Sequence, residues 1–264
     1  MYVYKFRQVN DFSLNNLADG QLYFAHYESF NDPFECKYKL IRSTDEELKS
    51  YAINVALKNN DNDIDRATTQ VNIITEKFDG ALRYIEDHAG KAFNNSLDNH
   101  KNNIGILSLT HEQDAFKGLF FWSMYADGGR GFCLEFDYFE LKDSINNLNN
   151  TKTAGDFVRY KENVIDIQMA KISHEYVNAK LVEIFTTKHT TFSHEKEFRM
   201  VSINGIGNFR YSKKALKKII IGERMPKDER VKLIKLRDEH YPDTEILLAK
   251  IHTSDYKIEL ANLN

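Results

Sequence analysis

The strongest constraint on the fold lies toward the C-terminal end, where Lys218-Ile-Ile-Ile221, a helical stretch over residues 226–240 and Glu245-Ile-Leu-Leu-Ala-Lys-Ile251 follow one another. Proline at the first helical turn costs no hydrogen bond, because the N–H it lacks has no partner in any helix. Two strands joined by such a helix are parallel neighbours with a right-handed crossover. The chain is therefore expected to build a sheet containing a parallel pair.

Other strands must join it. Ile104-Gly-Ile-Leu-Ser-Leu109 is a nearly continuous apolar run, suited to a buried central strand. Residues 2–7 alternate, placing Val3, Lys5 and Arg7 on one side and Tyr2, Tyr4 and Phe6 on the other. A short helix carrying Phe12, Leu14 and Leu17 follows, capped by Asp11 or Ser13 and stopped at Asp19-Gly20. A second strand over residues 21–25 leads to Asn31-Asp32-Pro33, a turn signal. Further strands are predicted at residues 132–136 and 157–160, with residues 146–155 as a loop. Asp114 can cap a helix running through Trp122 to Tyr125. Residues 163–187 space Ile165, Met169, Ile172, Tyr176, Leu181 and Ile184 close to helical period.

Residues 43–103 differ in character. Ser43 with Glu46, or Thr44 with Glu47, fits a capping box. Two or three helices should follow, broken at the Asn/Asp-rich residues 59–63 and ending before residues 94–103. No repeat or long flexible linker interrupts the chain. The expectation is one mixed α/β domain over residues 1–264, with a central mixed sheet and a helical insertion at 43–103.

Residues 192–201, Phe-Ser-His-Glu-Lys-Glu-Phe-Arg-Met-Val, read as a strand with Glu195, Glu197 and Arg199 on one face and Lys196, Phe198 and Met200 on the other. Such charges are costly to bury unless they pair with each other or with a ligand. Two readings stay open: a wet face with an ion pair, or a site. Trp122, the sole tryptophan, lies among Phe120, Phe121 and Tyr125 and reads as core. Ser123 lacks a Gly-x-Ser-x-Gly setting, and His189 and His194 have no partner at zinc-like spacing, so neither serine hydrolysis nor metal chemistry is expected.

Charge limits the partners. The formal net charge of −3 gives no global pull toward nucleic acid or an anionic membrane. Residues 211–237 nevertheless carry ten Lys or Arg against three acidic residues, so a basic lobe is set against an acidic body. Two cysteines exclude a disulfide framework and fit a reducing compartment. The opening Met1-Tyr-Val-Tyr-Lys-Phe-Arg lacks the apolar core of a signal peptide, and no run approaches the length of a membrane span. Cytoplasmic location and no membrane partner are expected.

Lys5-Phe6-Arg7, Phe30-Asn-Asp-Pro-Phe-Glu35, Phe121-Trp-Ser-Met-Tyr125 with Gly131-Phe-Cys-Leu-Glu-Phe-Asp137, and Glu195-Lys-Glu-Phe-Arg199 together resemble a bacterial family, number 2971 of the domains of unknown function. The order of a basic first strand, a short helix, an aromatic second strand and a late Glu-x-Glu is also similar to the ADP-ribosyltransferase layout. That resemblance implies NAD as the substrate. It implies Glu197 as the carboxylate that stabilises the ribosyl cation and Glu195 as the group that orients or deprotonates an acceptor. Arg7 would hold a phosphate, and Tyr23, His26 and Tyr27 would line the cofactor site. For Arg7 a structural salt bridge to one of the carboxylates is an equal alternative. By analogy with the family's bacterial neighbourhood, the function implied is an ADP-ribosyltransferase or NAD glycohydrolase acting as a toxin or phage-defence effector. Two alternatives from other classes are a nucleic-acid-binding or nuclease-like protein using residues 211–237, and a regulatory protein docking through the helical insertion.

Overall fold

The computed structural model describes residues 1–112, 115–171, 173–203 and 205–263. In chain order its strands begin with Tyr2–Arg7 (β1), Gln21–Phe24 (β2), Tyr38–Ile41 (β3), Gly105–Thr110 (β4), Phe132–Asp137 (β5), Thr153–Phe157 (β6) and Arg159–Lys161 (β7). They continue with Ile165–Gln168 (β8), Thr187–His189 (β9), Glu197–Ser202 (β10), Gly207–Arg210 (β11), Leu216–Gly222 (β12), Glu245–Ile251 (β13) and Ile258–Asn262 (β14). The α-helices are Asp11–Ala18 (α1), Asp45–Lys58 (α2), Ile64–Lys77 (α3), Ala81–Asn103 (α4), Leu119–Tyr125 (α5), Tyr138–Asn149 (α6), His174–Phe185 (α7) and Lys227–His240 (α8). The fold is mixed α/β around a large mixed sheet. The chain divides into two compact units, one made of Met1–Asn31, Asn103–Tyr160 and the chain from Thr190 onward, the other of Asp32–Asn102 and Lys161–His189.

The first unit holds an eight-stranded sheet in the order β14-β13-β12-β5-β1-β4-β10-β6. The pair β12–β13 is parallel, as the crossover through α8 requires, and every other adjacent pair is antiparallel. Alternation along the strands divides the core between two faces. Val3, Phe132, Leu134, Phe136, Phe198, Met200, Ile219 and Ile221 pack with Leu17 of α1, Leu141 of α6 and Leu233 of α8. On the opposite face Tyr4, Phe6, Cys133 and Ile220 pack with Phe121 and Trp122 of α5. Trp122 is core: it is 3% exposed, donates its indole N–H to the Phe116 carbonyl and meets Phe6 edge-on. Gly155 of β6 is required by a close approach, since a Cβ there would lie 2.5 Å from the Tyr138 hydroxyl and 2.6 Å from the Phe198 ring.

One junction of this sheet is nearly open. Strand β1 pairs with β5 along all six residues and β4 pairs with β10 along all six, yet β1 and β4 meet only at Tyr4 and Thr110. Beyond that rung the strands part. Farther along β4, Ala25 bonds Ile106 through both backbone groups, at 2.8 and 2.9 Å.

In the second unit, Thr44 and Glu47 form the predicted capping box of α2, Asp63 caps α3, and Gly80 at φ +77° separates α3 from α4. Helix α4 does not end before residue 94 but runs to Asn103, because Phe93, Leu97 and Lys101 keep a buried stripe in helical register through the Asn-rich stretch. Buried Glu86 is fully engaged, accepting from the Ser43 N–H, Arg42 and Arg83 at 2.7, 2.9 and 3.0 Å.

Four further sequence expectations are corrected. Helix α1 is capped by Asn10 rather than Asp11 or Ser13, with Ser13 completing a capping box. The stretch 163–187 is not one helix: Ile165 and Ile167 are buried in β8, which pairs in parallel with β3, and α7 starts at His174 behind the Ser173 cap. Residues 146–155 are not a loop, since α6 reaches Asn149 and β6 begins at Thr153. The strand expected over 192–201 begins at Glu197, and residues 190–195 form a 3-10 turn. The proposed Asp114 cap and Ile172 lie outside the described residues.

Candidate active site

The parting of β1 from β4 creates a cleft. Tyr4, Lys5 and Phe6 form one wall and Ser108, Leu109 and Thr110 another, with Phe121 and Tyr125 of α5, Glu195 and Glu197 completing it. It encloses about 60 Å³ and is half open to solvent. Where the ladder stops, a side chain takes its place: the Lys5 amine donates to the Ser108 carbonyl at 2.6 Å. This satisfies an acceptor that a paired β1 would otherwise have served. It also explains why strict alternation misplaces Lys5, which enters the gap between strands.

The two carboxylates reach the cleft by different routes. Glu197 stands in the Tyr4–Thr110–Glu197 rung on the α5 face of the sheet. Arg199, two residues on and fully buried, holds it with two bonds, Nε to Oε1 at 2.8 Å and Nη2 to Oε2 at 3.2 Å. The guanidinium lies 5.2 Å from the centre of the Phe30 ring. The pair is buried, so the wet-face reading of Glu-x-Glu-x-Arg does not hold. The Tyr160 hydroxyl accepts the Glu197 N–H at 2.8 Å, and burial pushes its own pKa up to about 12.

Glu195 is brought in by backbone conformation. Lys196 adopts φ +42°, a left-handed geometry unusual for a side chain with a Cβ. The Lys196 carbonyl accepts from the His111 N–H at 3.1 Å and the Thr110 hydroxyl at 3.2 Å, which pins the bend against the end of β4. Residues 195 and 197 thereby line one cleft although only the second lies in the strand. Glu195 Oε1 accepts from the Tyr125 hydroxyl at 2.5 Å and the Asn31 amide at 3.1 Å. Burial, with Glu195 adding, raises the Tyr125 phenol well above its usual range, so it remains a donor.

Lys5 is the cation of this wall. Burial, reinforced by Arg7 and opposed by Glu197, lowers its pKa to about 7.

Of the residues singled out in sequence, the cleft collects Glu195 and Glu197 and none of Arg7, Tyr23, His26 or Tyr27. Arg7 ends β1 and makes no ion pair with either carboxylate; burial lowers its pKa and neighbouring Tyr211 raises it. Tyr23 is partly exposed on β2 and meets Phe12 edge-on. His26 caps the 3-10 turn Tyr27–Ser29 through Nδ1 and packs on the Tyr27 ring. Lys5 and Tyr125 are the cleft residues that sequence reasoning passed over, as it did Tyr160, which holds the Glu197 backbone from outside the lining. Several cations of residues 211–237 are engaged within the fold, Lys217 with Glu140 at 2.8 Å, Lys218 with Glu135 at 3.1 Å and Arg230 with the Glu223 carbonyl. Among the described residues no helix is long and apolar enough to cross a membrane.

Residues 121–200 match the model of a family described as Protein of unknown function (DUF2971), so the resemblance read from the sequence motifs is shown over this segment. The match covers most of α5, all of β5, the Lys196 bend and the Glu197–Arg199 pair. No curated protein and no solved structure matches the chain.

Proposed function

We propose that this cleft breaks the glycosidic bond between nicotinamide and ribose in NAD, passing ADP-ribose to an acceptor or to water. The observation that carries the proposal is the convergence of Glu195 and Glu197 on one half-open cleft, each held in place by its own donors. When the bond breaks, positive charge develops on the ribose ring while nicotinamide leaves as a neutral molecule. A fixed carboxylate stabilises that charge without reorganising.

Glu197 is assigned to the ribose, bonding its 2′-hydroxyl, because the Arg199 clamp fixes both of its oxygens. Glu195 is assigned to the acceptor, which it orients or deprotonates. Tyr125 supports that role by keeping its proton and so aiming the Glu195 carboxylate. The cleft is half open, so it would receive only the edge of the ribose that carries the 2′-hydroxyl and leave the rest of the dinucleotide outside. NAD is a cytoplasmic metabolite, so we place the activity there, in a toxin or phage-defence setting.

The test is nicotinamide release and ADP-ribose transfer by the purified protein supplied with NAD and a cell lysate. Glu195→Gln keeps an oxygen for Tyr125 and Asn31 and should fold normally. We expect it to lower turnover by about 10²-fold or more, the usual contribution of a general base. Absence of nicotinamide release by the parent protein, or full activity in Glu195→Gln, would reject the reading.

A further inference from the structure

Lys5 brings to the cleft a reactivity that ribosyl transfer does not use. Its amine is anchored by a single backbone carbonyl, Ser108 at 2.6 Å, and forms no ion pair among the described residues. The donated N–H holds the nitrogen in the strand gap, and Lys5 lines the half-open cleft there. Around it stand Glu197 on β10, Glu195 on the adjoining turn, Tyr125 on α5, Thr110 on β4 and Arg7 farther along β1.

We propose that Lys5 is the nucleophile of a carbonyl-binding site, capturing a small aldehyde or ketone in this cleft as an imine on Nζ. The Nζ lone pair forms a bond to the carbonyl carbon, and the carbonyl oxygen takes up a proton while the nitrogen loses one. The resulting carbinolamine expels its hydroxyl as water when the nitrogen lone pair closes the C=N bond. One amine and one carbonyl compound give one imine and one water. No oxidant or reductant is consumed, and Glu195 and Glu197 are placed to take and return the protons. The space limits the partner: about 60 Å³ corresponds to roughly two water molecules, which suits a carbonyl compound of about two or three carbons.

The lowered pKa of about 7 adds support, because close to half of the Lys5 amines are then neutral near pH 7. A lysine at the ordinary value of 10.5 is almost wholly protonated there. Burial near a second cation is a recognised way of activating a lysine, and Arg7 supplies that cation. The inference does not depend on NAD, since imine formation needs only this amine and its surroundings.

The test treats the full chain at pH 7 with glycolaldehyde and cyanoborohydride, which delivers hydride to the iminium carbon and leaves a stable secondary amine. Peptide mapping by mass spectrometry then gives the modification rate of each lysine. We expect Lys5 to react about tenfold or more faster than surface lysines, the gain in neutral amine being offset in part by lower intrinsic nucleophilicity. Lys5→Arg retains a donor for Ser108 and should remove that fast phase alone. Modification of Lys5 no faster than that of exposed lysines, or none at all, would overturn the proposal whether or not NAD is cleaved. The parent-protein map decides the matter even should the variant fail to fold.

Discussion

Breaking the buried Glu197–Arg199 pair is expected to cost more than any other single change at the site. Both side chains lie within 2% of complete burial, and two hydrogen bonds at 2.8 and 3.2 Å join them. Taking one partner away leaves the other charge in the interior, which costs about 3–5 kcal/mol. Arg199→Met removes the guanidinium from the buried Glu197 carboxylate, and Glu197→Met removes the carboxylate from the buried guanidinium over Phe30. Replacing both restores neutrality, so the double variant should cost clearly less than the sum of the single ones, with a coupling of about 1.5 kcal/mol or more. The assay is urea unfolding followed by Trp122 emission. As the sole tryptophan, buried against Phe6 in the same unit, Trp122 reports on that unit directly. With a slope of about 2 kcal/mol per molar urea, each single variant should move the midpoint down by about 1.5–2.5 M. Single variants that lose less than about 1 kcal/mol, or a double variant equal to the sum, would refute the reasoning by showing that water already screens the pair. The same experiment controls the functional test, because lost turnover in a Glu197 variant has meaning only if the unit stays folded.

Three further outcomes follow from the geometry. Lys196→Gly should stabilise by up to about 1 kcal/mol and Lys196→Val destabilise by about 1–2 kcal/mol, since φ +42° suits glycine and opposes a β-branched side chain; urea midpoints decide the signs. Between about pH 7 and the unfolded lysine value of 10.5 the unfolded chain binds a proton at Lys5 that the folded chain has released, so stability rises with pH across that window. The slope should be at most about 1.4 kcal/mol per pH unit, and Lys5→Met should flatten it in Trp122-detected unfolding at several pH values. Gly155→Ala should destabilise by about 1–3 kcal/mol, because its new methyl overlaps the Phe198 ring and the Tyr138 hydroxyl; an unchanged midpoint would mean that β6 shifts freely.

The parts of the fold that were legible in the sequence are those in which one local rule meets no competitor. The β12-α8-β13 crossover follows from two apolar runs and a helix begun at proline, and the Thr44–Glu47 box marks the start of α2. Composition misled where packing overrode it. Asparagines at residues 94–103 suggested a helix end, yet the spacing of Phe93, Leu97 and Lys101 carries α4 through them. Ile165 fits a helical period and also the alternation of a strand, and pairing with β3 selects the strand. Such ambiguity is inherent in short apolar runs.

The site was half legible for a related reason. Glu197 and Arg199 announce themselves as alternating charges between Phe198 and Met200, and burial of the latter two fixes which face the charges occupy. Glu195 reached the cleft although the reason given from sequence, an unbroken strand, does not hold; the left-handed turn at Lys196 does that, and no residue type there signals it. Lys5 was hidden more deeply. Alternation assigned it to the face of Val3, but on its β4 side β1 pairs no farther than Tyr4, and a lysine beside a parted strand can enter the gap and replace the missing ladder bond. The cleft therefore owes its position to hydrogen bonds that the sheet does not make. A sheet fully paired between β1 and β4 would give the Ser108 carbonyl a backbone partner, take from the Lys5 amine the acceptor that anchors it and close the opening on which both proposed reactivities depend.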